Sequence, residues 1–370
     1  RSPERMEALK GDLMAGMEER GIDAPTRERI FEQLKGFADF GFPESHSFSF
    51  AHIVYASSWL KVHTPEHFYA AILASQPMGF YSPATLVQDA RRHGVRVVGP
   101  SVNDSLVDAS VQRVGDDEAG ESYNPGRPEA LPSRGTVALD VDRELAVRIG
   151  LSQVRGLGAV AERIVEARRQ GAFTSQADLA RRAHVSASAM EKLAMAGALE
   201  CLGVGRREGA WAAGALAQPQ ARAGQWQPFL PGTEVGARVP ELPSLSEAER
   251  MRSDVASTGL TPGRHPFSYV RGSLPASVLR AGELGQHLAG RIVDIAGVVT
   301  HRQRPHTGGG ITFLSLEDET GLVNVSVSVG AWKKFRRVCL ESSALLVRGT
   351  LEWGDGAISG QAFRIASIAL

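Results

Sequence analysis

The sequence predicts a multidomain α+β protein in which residues 1–100 and 149–203 are mainly helical and the last eighty residues form strands. Apolar residues recur at helical spacing early in the chain, as Ile30, Phe31 and Leu34 show. Valines instead occupy every second position of 323–329, which is the period of a half-buried strand. The length of 370 residues fits roughly two to three domains.

Residues 1–100 are expected to form several short helices and one strand at 95–98. A helix that passes through Leu60 must end before Pro65, because the residue preceding a proline is driven out of the helical region. Ser82 and the following proline mark the start of another helix, and Gly94 marks its end.

The net charge is zero, with 41 basic and 41 acidic residues, but the charge is unevenly distributed. Residues 102–147 contain ten acidic residues against four arginines, whereas residues 148–207 carry an excess of basic residues. This change of sign indicates separate modules. We expect an acidic loop and strand connection at 101–148, a helical module at 149–210, and a linker at 211–288 that contains one helix near 247–257.

A helix-hairpin-helix is predicted from Val154-Arg-Gly-Leu-Gly-Ala-Val-Ala-Glu-Arg-Ile-Val-Glu-Ala-Arg168. Two glycines allow a tight turn that approaches a phosphate, and the following helix presents its free amides to the same group. The predicted DNA-binding residues of this turn are Arg155, Gly156, Leu157, Gly158 and Ala159. A poorer copy lies at 193–199. The alternative is an ordinary turn in which glycine ends a helix.

The last segment, 289–370, has the element order of an oligonucleotide-binding (OB) barrel, with five strands and one helix after the third strand. The fold class is therefore a helical segment, a helix-hairpin-helix module and a C-terminal OB-fold β-barrel. The expected strands are 292–300, 311–316, 323–329, 345–353 and 357–368, with a helix at 331–338 and a tight turn at 318–321.

Basic and aromatic residues interleave in the barrel helix, as a surface that stacks bases and holds phosphates requires. The predicted DNA-binding residues of the barrel are Lys333 and Arg336 on the helix, and Arg302 and Arg304 before the three glycines at 308–310. The alternative is that Trp332 and Phe335 close the bottom of the barrel and the charges form a solvated face.

Several other classes of protein are disfavoured. Cys201 and Cys339 are the only cysteines, so a disulfide scaffold or a cysteine-rich zinc site is not expected. His63 and His67 lack a third ligand, and Asp140 lies in an acidic exposed segment, so no metal site is expected. The sequence contains no phosphate-binding GxxxxGK[ST] motif and no apolar run long enough for a membrane helix. A cytoplasmic protein is the default expectation.

Two stretches resemble the end of the fingers region in bacterial C-family DNA polymerases of the alpha-subunit type. They are Phe37-Ala-Asp-Phe-Gly-Phe-Pro-Glu-Ser-His-Ser-Phe-Ser-Phe-Ala51 and Tyr55-Ala-Ser-Ser-Trp-Leu-Lys61. The hairpin and the barrel then follow in that family's order. Pro43-Glu44, where replicative members usually have Asn-Lys, is similar to the error-prone branch, as is Gln76-Pro-Met-Gly-Phe-Tyr-Ser-Pro83.

The resemblance implies that residues 1–100 end the fingers and that Ser45, His46 and Ser47 lie near the incoming nucleotide. It also implies that the acidic palm, with its Mg²⁺, lies upstream, so this chain holds no catalytic residue and is inactive alone. The chain would then be the C-terminal part of an error-prone polymerase for damage-tolerant synthesis. Its partners would be primer-template DNA, single-stranded template and dNTP.

The sequence also fits other partners and other functions. Gln225-Trp-Gln-Pro-Phe-Leu230 is a candidate sliding-clamp peptide, and accessory mutagenesis proteins are a second candidate class of partner. The main alternative function is a non-catalytic nucleic-acid-binding module that tethers another enzyme. A fragment of an NAD-dependent DNA ligase is disfavoured, because its zinc-finger cysteines are missing. A scaffold that acts through the linker is a further alternative.

Overall fold

The computed structural model describes residues 7–39, 44–79, 81–114, 138–216, 240–305, 308–354 and 357–369. The chain divides into two compact units, residues 1–59 and residues 60–370.

The first unit consists of helices α1 (Lys10–Glu19) and α2 (Ala24–Asp39) and most of α3 (Glu44–His63). Phe31 is fully buried and Met17 nearly so. An ion pair joins Arg27 to Glu18 at 2.8 Å. The expected helices across Leu34 and Leu60 are therefore present.

The apolar residues of α3 in this unit remain exposed instead of forming a core. Phe48 is 75% exposed and Tyr55 is 72% exposed, and Phe50, Ile53 and Val54 are each more than half exposed. So many exposed apolar side chains on one helix indicate a contact surface.

The second unit begins with helices α4 (Pro65–Ala74) and α5 (Pro83–Arg92) and a three-stranded sheet. The sheet has the order β1-β3-β2, where β1 is Arg96–Val98, β2 is Ser110–Arg113 and β3 is Leu145–Arg148. The hydroxyl of Ser82 accepts the Thr85 amide and caps α5, as the Ser-Pro sequence predicts.

The connection at 101–148 differs from the expectation. The strand in this connection, β3, is only four residues long, and the sequence pattern does not predict the second strand, β2. Both strands are too short for a two-residue period to identify them. Residues 115–137, most of the expected acidic loop, lie outside the described residues.

The helical module contains α6 (Val160–Arg168), α7 (Gln176–Ala183), α8 (Ala187–Met195) and α9 (Arg206–Leu216). Serine hydroxyls cap α7 and α8 by accepting backbone amides. The helices enclose a core of fully buried aliphatic side chains that includes Leu151, Ile164, Leu179, Met190, Leu193 and Leu199.

The region 211–288, expected to be a linker, is packed structure over much of its described part. It contains the end of α9 and the whole of α10 (Glu247–Thr258), which begins with a capping box at Ser246. Leu260 and Phe267 are buried to 1% and 0% exposure. Because this region is rich in proline and glycine, its sequence shows no periodic pattern that would reveal such isolated buried residues. Residues 217–239, including the candidate clamp peptide Gln225 to Leu230, lie outside the described residues.

The C-terminal segment is a closed barrel, and the predicted fold class is confirmed. The elements are β4 (Val278–Leu279), β5 (Ile292–Gln303), β6 (Thr312–Glu317), β7 (Leu322–Val327), α11 (Val329–Glu341), β8 (Ala344–Gly354) and β9 (Ala357–Ile368). Strand β5 pairs antiparallel with β8, and β7 pairs parallel with β9, which closes the sheet. An additional strand, β4, lies parallel to β5.

Buried ionic contacts dock the barrel on the helices of the second unit. The Glu317 carboxylate, 4% exposed, binds Arg92 at 2.8 Å and accepts the Thr85 hydroxyl. Burial raises the pKa of Glu317 above the ordinary value for glutamate, although Arg92 opposes that shift. On the same side, Arg271 binds Asp318 and Glu319 at 2.8 Å each.

His265 lies beside the same contacts and is held neutral. Its Nδ1 accepts the Phe267 amide at 3.1 Å, so the ring caps a short turn. Burial, together with the charges of Arg92 and Arg271, lowers the pKa of His265 to about 3. This side chain thus contributes a hydrogen-bond acceptor and no charge at neutral pH.

Candidate nucleic-acid interface

The glycine turn before α6 carries backbone amides that donate to no protein group in the described part of the chain. Gly156, Gly158 and Ala159 are all exposed. Among the described residues, no oxygen accepts a hydrogen bond from these three amides. Because free amides at a helix start bind anions, the turn can hold a phosphate oxygen.

Two features of the sequence shape this turn. Gly156 has φ +70° and Gly158 has φ +51°, a left-handed conformation that favours glycine. Leu157 between them is buried at 2% exposure and fixes the turn to the helical core. The Lys192 ammonium donates to the Gly156 carbonyl oxygen at 3.3 Å and adds a positive charge beside the free amides.

Arg155 is exposed but is also hydrogen-bonded to the protein. Its backbone amide donates to the carbonyl of Ser257 at 2.8 Å, and its guanidinium donates to the carbonyl of Ala256 at 3.2 Å. Arg155 thus joins the hairpin to the end of α10 while it stays exposed. It contributes a positive field near the turn, but its side chain is partly committed to the protein.

The other arginines of the hairpin segment mostly bind protein groups. Arg163 donates to the carbonyl of Ala183, Arg168 donates to the carbonyl of Val102, and Arg169 pairs with a glutamate of its own helix. The anion-binding capacity of the hairpin therefore rests on its amides more than on these side chains.

The second glycine turn, at 193–199, is buried and closed. The amide of Gly197 donates to the carbonyl of Ala194, and the amide of Ala198 donates to that of Leu193. Gly197 itself is buried. This segment is therefore the end of α8 and not a second phosphate site, since a buried turn with satisfied amides has no donor to offer.

On the barrel, Arg302 and Arg304 occupy different environments. Arg302 donates to the carbonyls of Cys339 at 2.7 Å and Ser342 at 2.6 Å, so it caps the end of α11. Arg304 is exposed, and its guanidinium lies 5.9 Å from the ring centre of Trp332. Both residues are exposed, but the Arg302 guanidinium is committed to the two carbonyls.

The barrel helix α11 has both features that its sequence suggests, a buried aromatic residue and exposed basic residues. Trp332 is buried at 8% exposure and belongs to the barrel core, as the alternative interpretation expected. Lys333 and Arg336 are exposed on the outer side of α11. The aromatic residue at 332 is therefore a structural plug, while the two cations face solvent.

An exposed aromatic ring on the barrel, Phe313, was not predicted from the sequence. Phe313 on β6 is 41% exposed, on the outer face of the barrel. His301 is on the neighbouring strand β5, and its ring meets that of Tyr81 edge to face at 5.9 Å. Phe313 alternates with the buried residues of its own strand, and this alternation is the signal that identifies an outward ring.

The three predicted nucleotide-proximal residues begin α3 in the first unit. Ser45 and His46 are exposed, and Ser47 is partly buried. The His46 ring packs edge to face on Phe50 at 4.5 Å, one helical turn away. The three side chains lie on the first turn of the helix.

Within the described residues, no three histidine, cysteine, aspartate or glutamate side chains lie where they could share a metal ion. His63 instead meets Asp140 at 2.7 Å. Among the described helices, none has both the length and the apolar character needed to cross a membrane.

Family models match both modules. A helix-hairpin-helix motif model matches residues 94–209, and an OB-fold nucleic acid binding domain model matches residues 293–367. Asparaginyl-tRNA synthetase from Pyrococcus horikoshii is a similar solved structure, at 21% identity over 25% of this chain and 23% of that chain, with a TM-score of 0.23.

Curated relatives align with the entire chain. Proteins named error-prone DNA polymerase from Nocardia farcinica and Mycobacterium bovis are each 44% identical to it, and a third from Cutibacterium acnes is 43% identical. The alignments cover 100% of this chain but only 30%, 31% and 34% of those proteins. The chain thus spans about a third of the length of these relatives, and the predicted family resemblance is confirmed.

Proposed function

We propose that this chain, which belongs to the error-prone DNA polymerase family, is the part of such a polymerase that holds the primer-template. The hairpin grips duplex backbone through the amides of Gly156, Gly158 and Ala159. The outer face of the barrel, with Phe313 and Arg304, takes the single-stranded template. These contacts are indifferent to sequence, as copying of any template requires.

The observation that carries this proposal is the exposed turn with three free amides. The three amides belong to exposed residues just before α6, and among the described residues they donate to no protein oxygen, so they are available to a ligand. The added charge of Lys192 favours an anion at the same place. A phosphodiester oxygen matches both the donors and the charge.

The catalytic reaction belongs to the remaining part of the polymerase. We propose that a palm outside this chain binds Mg²⁺, which would stabilise the charge that develops when a primer hydroxyl attacks a dNTP. Ser45, His46 and Ser47 would lie near that nucleotide. The chain alone would then bind DNA without extending it. A cytoplasmic location follows from this role.

A matched pair of substitutions tests the proposal. Ala159 and Ala187 are both exposed residues at helix starts, so Ala159→Asp and Ala187→Asp make the same change in charge at comparable sites. The binding of a fluorescein-labelled primer-template to the purified chain is measured by anisotropy between 50 and 300 mM KCl.

The affinity of the unsubstituted chain should fall steeply with salt, with a slope of about −3 for three to four neutralised phosphates. Ala159→Asp should weaken binding about tenfold or more, since the new carboxylate repels a DNA phosphate at this turn. Ala187→Asp should change it less than about twofold. Equal effects of the two substitutions, or a flat salt response, would refute the proposed grip on DNA.

A further inference from the structure

A groove on the barrel lies between α11 and the strands β8 and β9. It has a volume of about 750 Å³, and its lining includes Lys334, Phe335, Arg348, Phe363 and Arg364. Strand β7 separates β9 from β6, which carries Phe313. The groove is therefore a different surface from the proposed template face.

An extra residue in β9 shapes this groove. Arg348 pairs with Arg364, but the next residue of β8, Gly349, pairs with Ala362, so Phe363 has no partner in β8. Such a β-bulge breaks the alternation of the strand. As a result, Phe363 and Arg364 are both exposed although they are adjacent. Phe363 is 47% exposed.

The charges around the groove are not balanced by the protein. Arg348 and Arg364 lie directly opposite each other on paired strands, where like charges are destabilising. Arg348 has one long ion pair, to Asp294 at 3.6 Å. In the part of the chain that the structure describes, no carboxylate pairs with Arg364 or Lys334. A ligand that carries negative charge would relieve this repulsion.

We propose that this groove binds an acidic peptide of a partner protein that carries an aromatic or branched apolar side chain. The apolar side chain would lie between Phe335 and Phe363, and the acidic residues would meet Lys334, Arg348 and Arg364. A concave site suits a single buried anchor with charges around it. A DNA strand would instead stack successive bases on a row of aromatic rings, whereas Phe335 and Phe363 are the two rings in the lining of this groove.

The probe for this site is a fluorescein-labelled hexapeptide of four aspartates, a leucine and a terminal phenylalanine, titrated with the purified chain in an anisotropy assay. Arg364→Glu and Lys334→Glu should each weaken binding about tenfold, as should Phe363→Ser. Arg291→Glu, at an exposed arginine before β5, is the matched control and should change binding less than about twofold. Circular dichroism melting verifies that each variant folds.

Three outcomes would overturn the proposal. In the first, a peptide of six aspartates binds as tightly as the probe, which would show that the apolar side chains of the probe contribute nothing to binding. In the second, Lys334→Glu and Arg364→Glu bind the probe as the unsubstituted chain does. In the third, an oligothymidine displaces the probe and the same two variants weaken oligothymidine binding, which would assign the groove to nucleic acid. Since none of these results involves the hairpin, they leave the proposed grip of the hairpin on duplex DNA untouched.

Discussion

Replacing Gly158 by alanine separates two roles of this glycine. One is to adopt a left-handed backbone conformation, and the other is to let DNA approach the turn closely. Gly158 has φ +51°, and a Cβ built on it meets no atom within 4 Å. The substitution therefore creates no clash inside the protein. Its cost to folding is the strain of a left-handed alanine, about 1 to 2 kcal/mol.

Gly203 provides a control with the same backbone properties. It has φ +69°, a Cβ there also meets nothing within 4 Å, and it lies outside the hairpin in the same unit. Gly203→Ala should thus lower the free energy of unfolding by a similar amount. Urea unfolding followed by circular dichroism measures both costs.

The two variants should differ in DNA binding. The methyl group of Gly158→Ala lies on the exposed turn beside the free amides, where it hinders the approach of a phosphate oxygen. A hydrogen bond to a charged group contributes about 1.5 to 3 kcal/mol, so the loss of one predicts binding weaker by about 10- to 150-fold. Anisotropy with labelled primer-template at 100 mM KCl measures this. If Gly158→Ala binds as tightly as Gly203→Ala, the reasoning about close approach is wrong.

Three further predictions concern the rest of the second unit. Because unfolded His265 takes up a proton near pH 6.5 and the folded side chain only near pH 3, stability should fall with acidification between these values, by up to about 1.4 kcal/mol per pH unit. His265→Asn keeps an acceptor and should flatten that part of the urea-unfolding profile. Arg206→Ala breaks a buried ion pair with Asp254 and should cost about 3 to 5 kcal/mol, against less than about 1 for the exposed Arg169→Ala, in the same urea assay. Phe313→Ala should weaken oligothymidine binding by about 5- to 150-fold. Leu340 on α11 is also exposed, and Leu340→Ala should leave this binding unchanged.

The barrel and the well-capped helices are the parts of the fold that the sequence predicts best. Alternating valines at 323–327 mark β7, and the Ser82-Pro83 pair marks the start of α5. In both cases the signal is local, because it comes from residues within the element itself, those on one face of a strand or those at the start of a helix. The four-residue strands β2 and β3 have no such signal, since their pairing is set by residues far apart in the sequence.

The candidate site was predictable in its backbone and less so in its side chains. A Gly-x-Gly sequence predicts the exposed turn at Gly156 and Gly158, because left-handed positions favour glycine. The sequence cannot show that Arg302 caps α11 or that the turn containing Gly197 is buried, since both depend on tertiary contacts. Similarly, the bulge that exposes Phe363 is visible only in the strand pairing.

The central claim is that the free amides of the hairpin meet the DNA backbone, and glycine amide NMR tests it most directly. The chain is labelled with ¹⁵N-glycine, and the resonances of Gly156, Gly158 and Gly197 are assigned from single alanine variants. On addition of primer-template, the signals of Gly156 and Gly158 should shift and their hydrogen exchange should slow, while buried Gly197 stays unchanged. DNA binding that leaves the signals of Gly156 and Gly158 where they were would contradict the account.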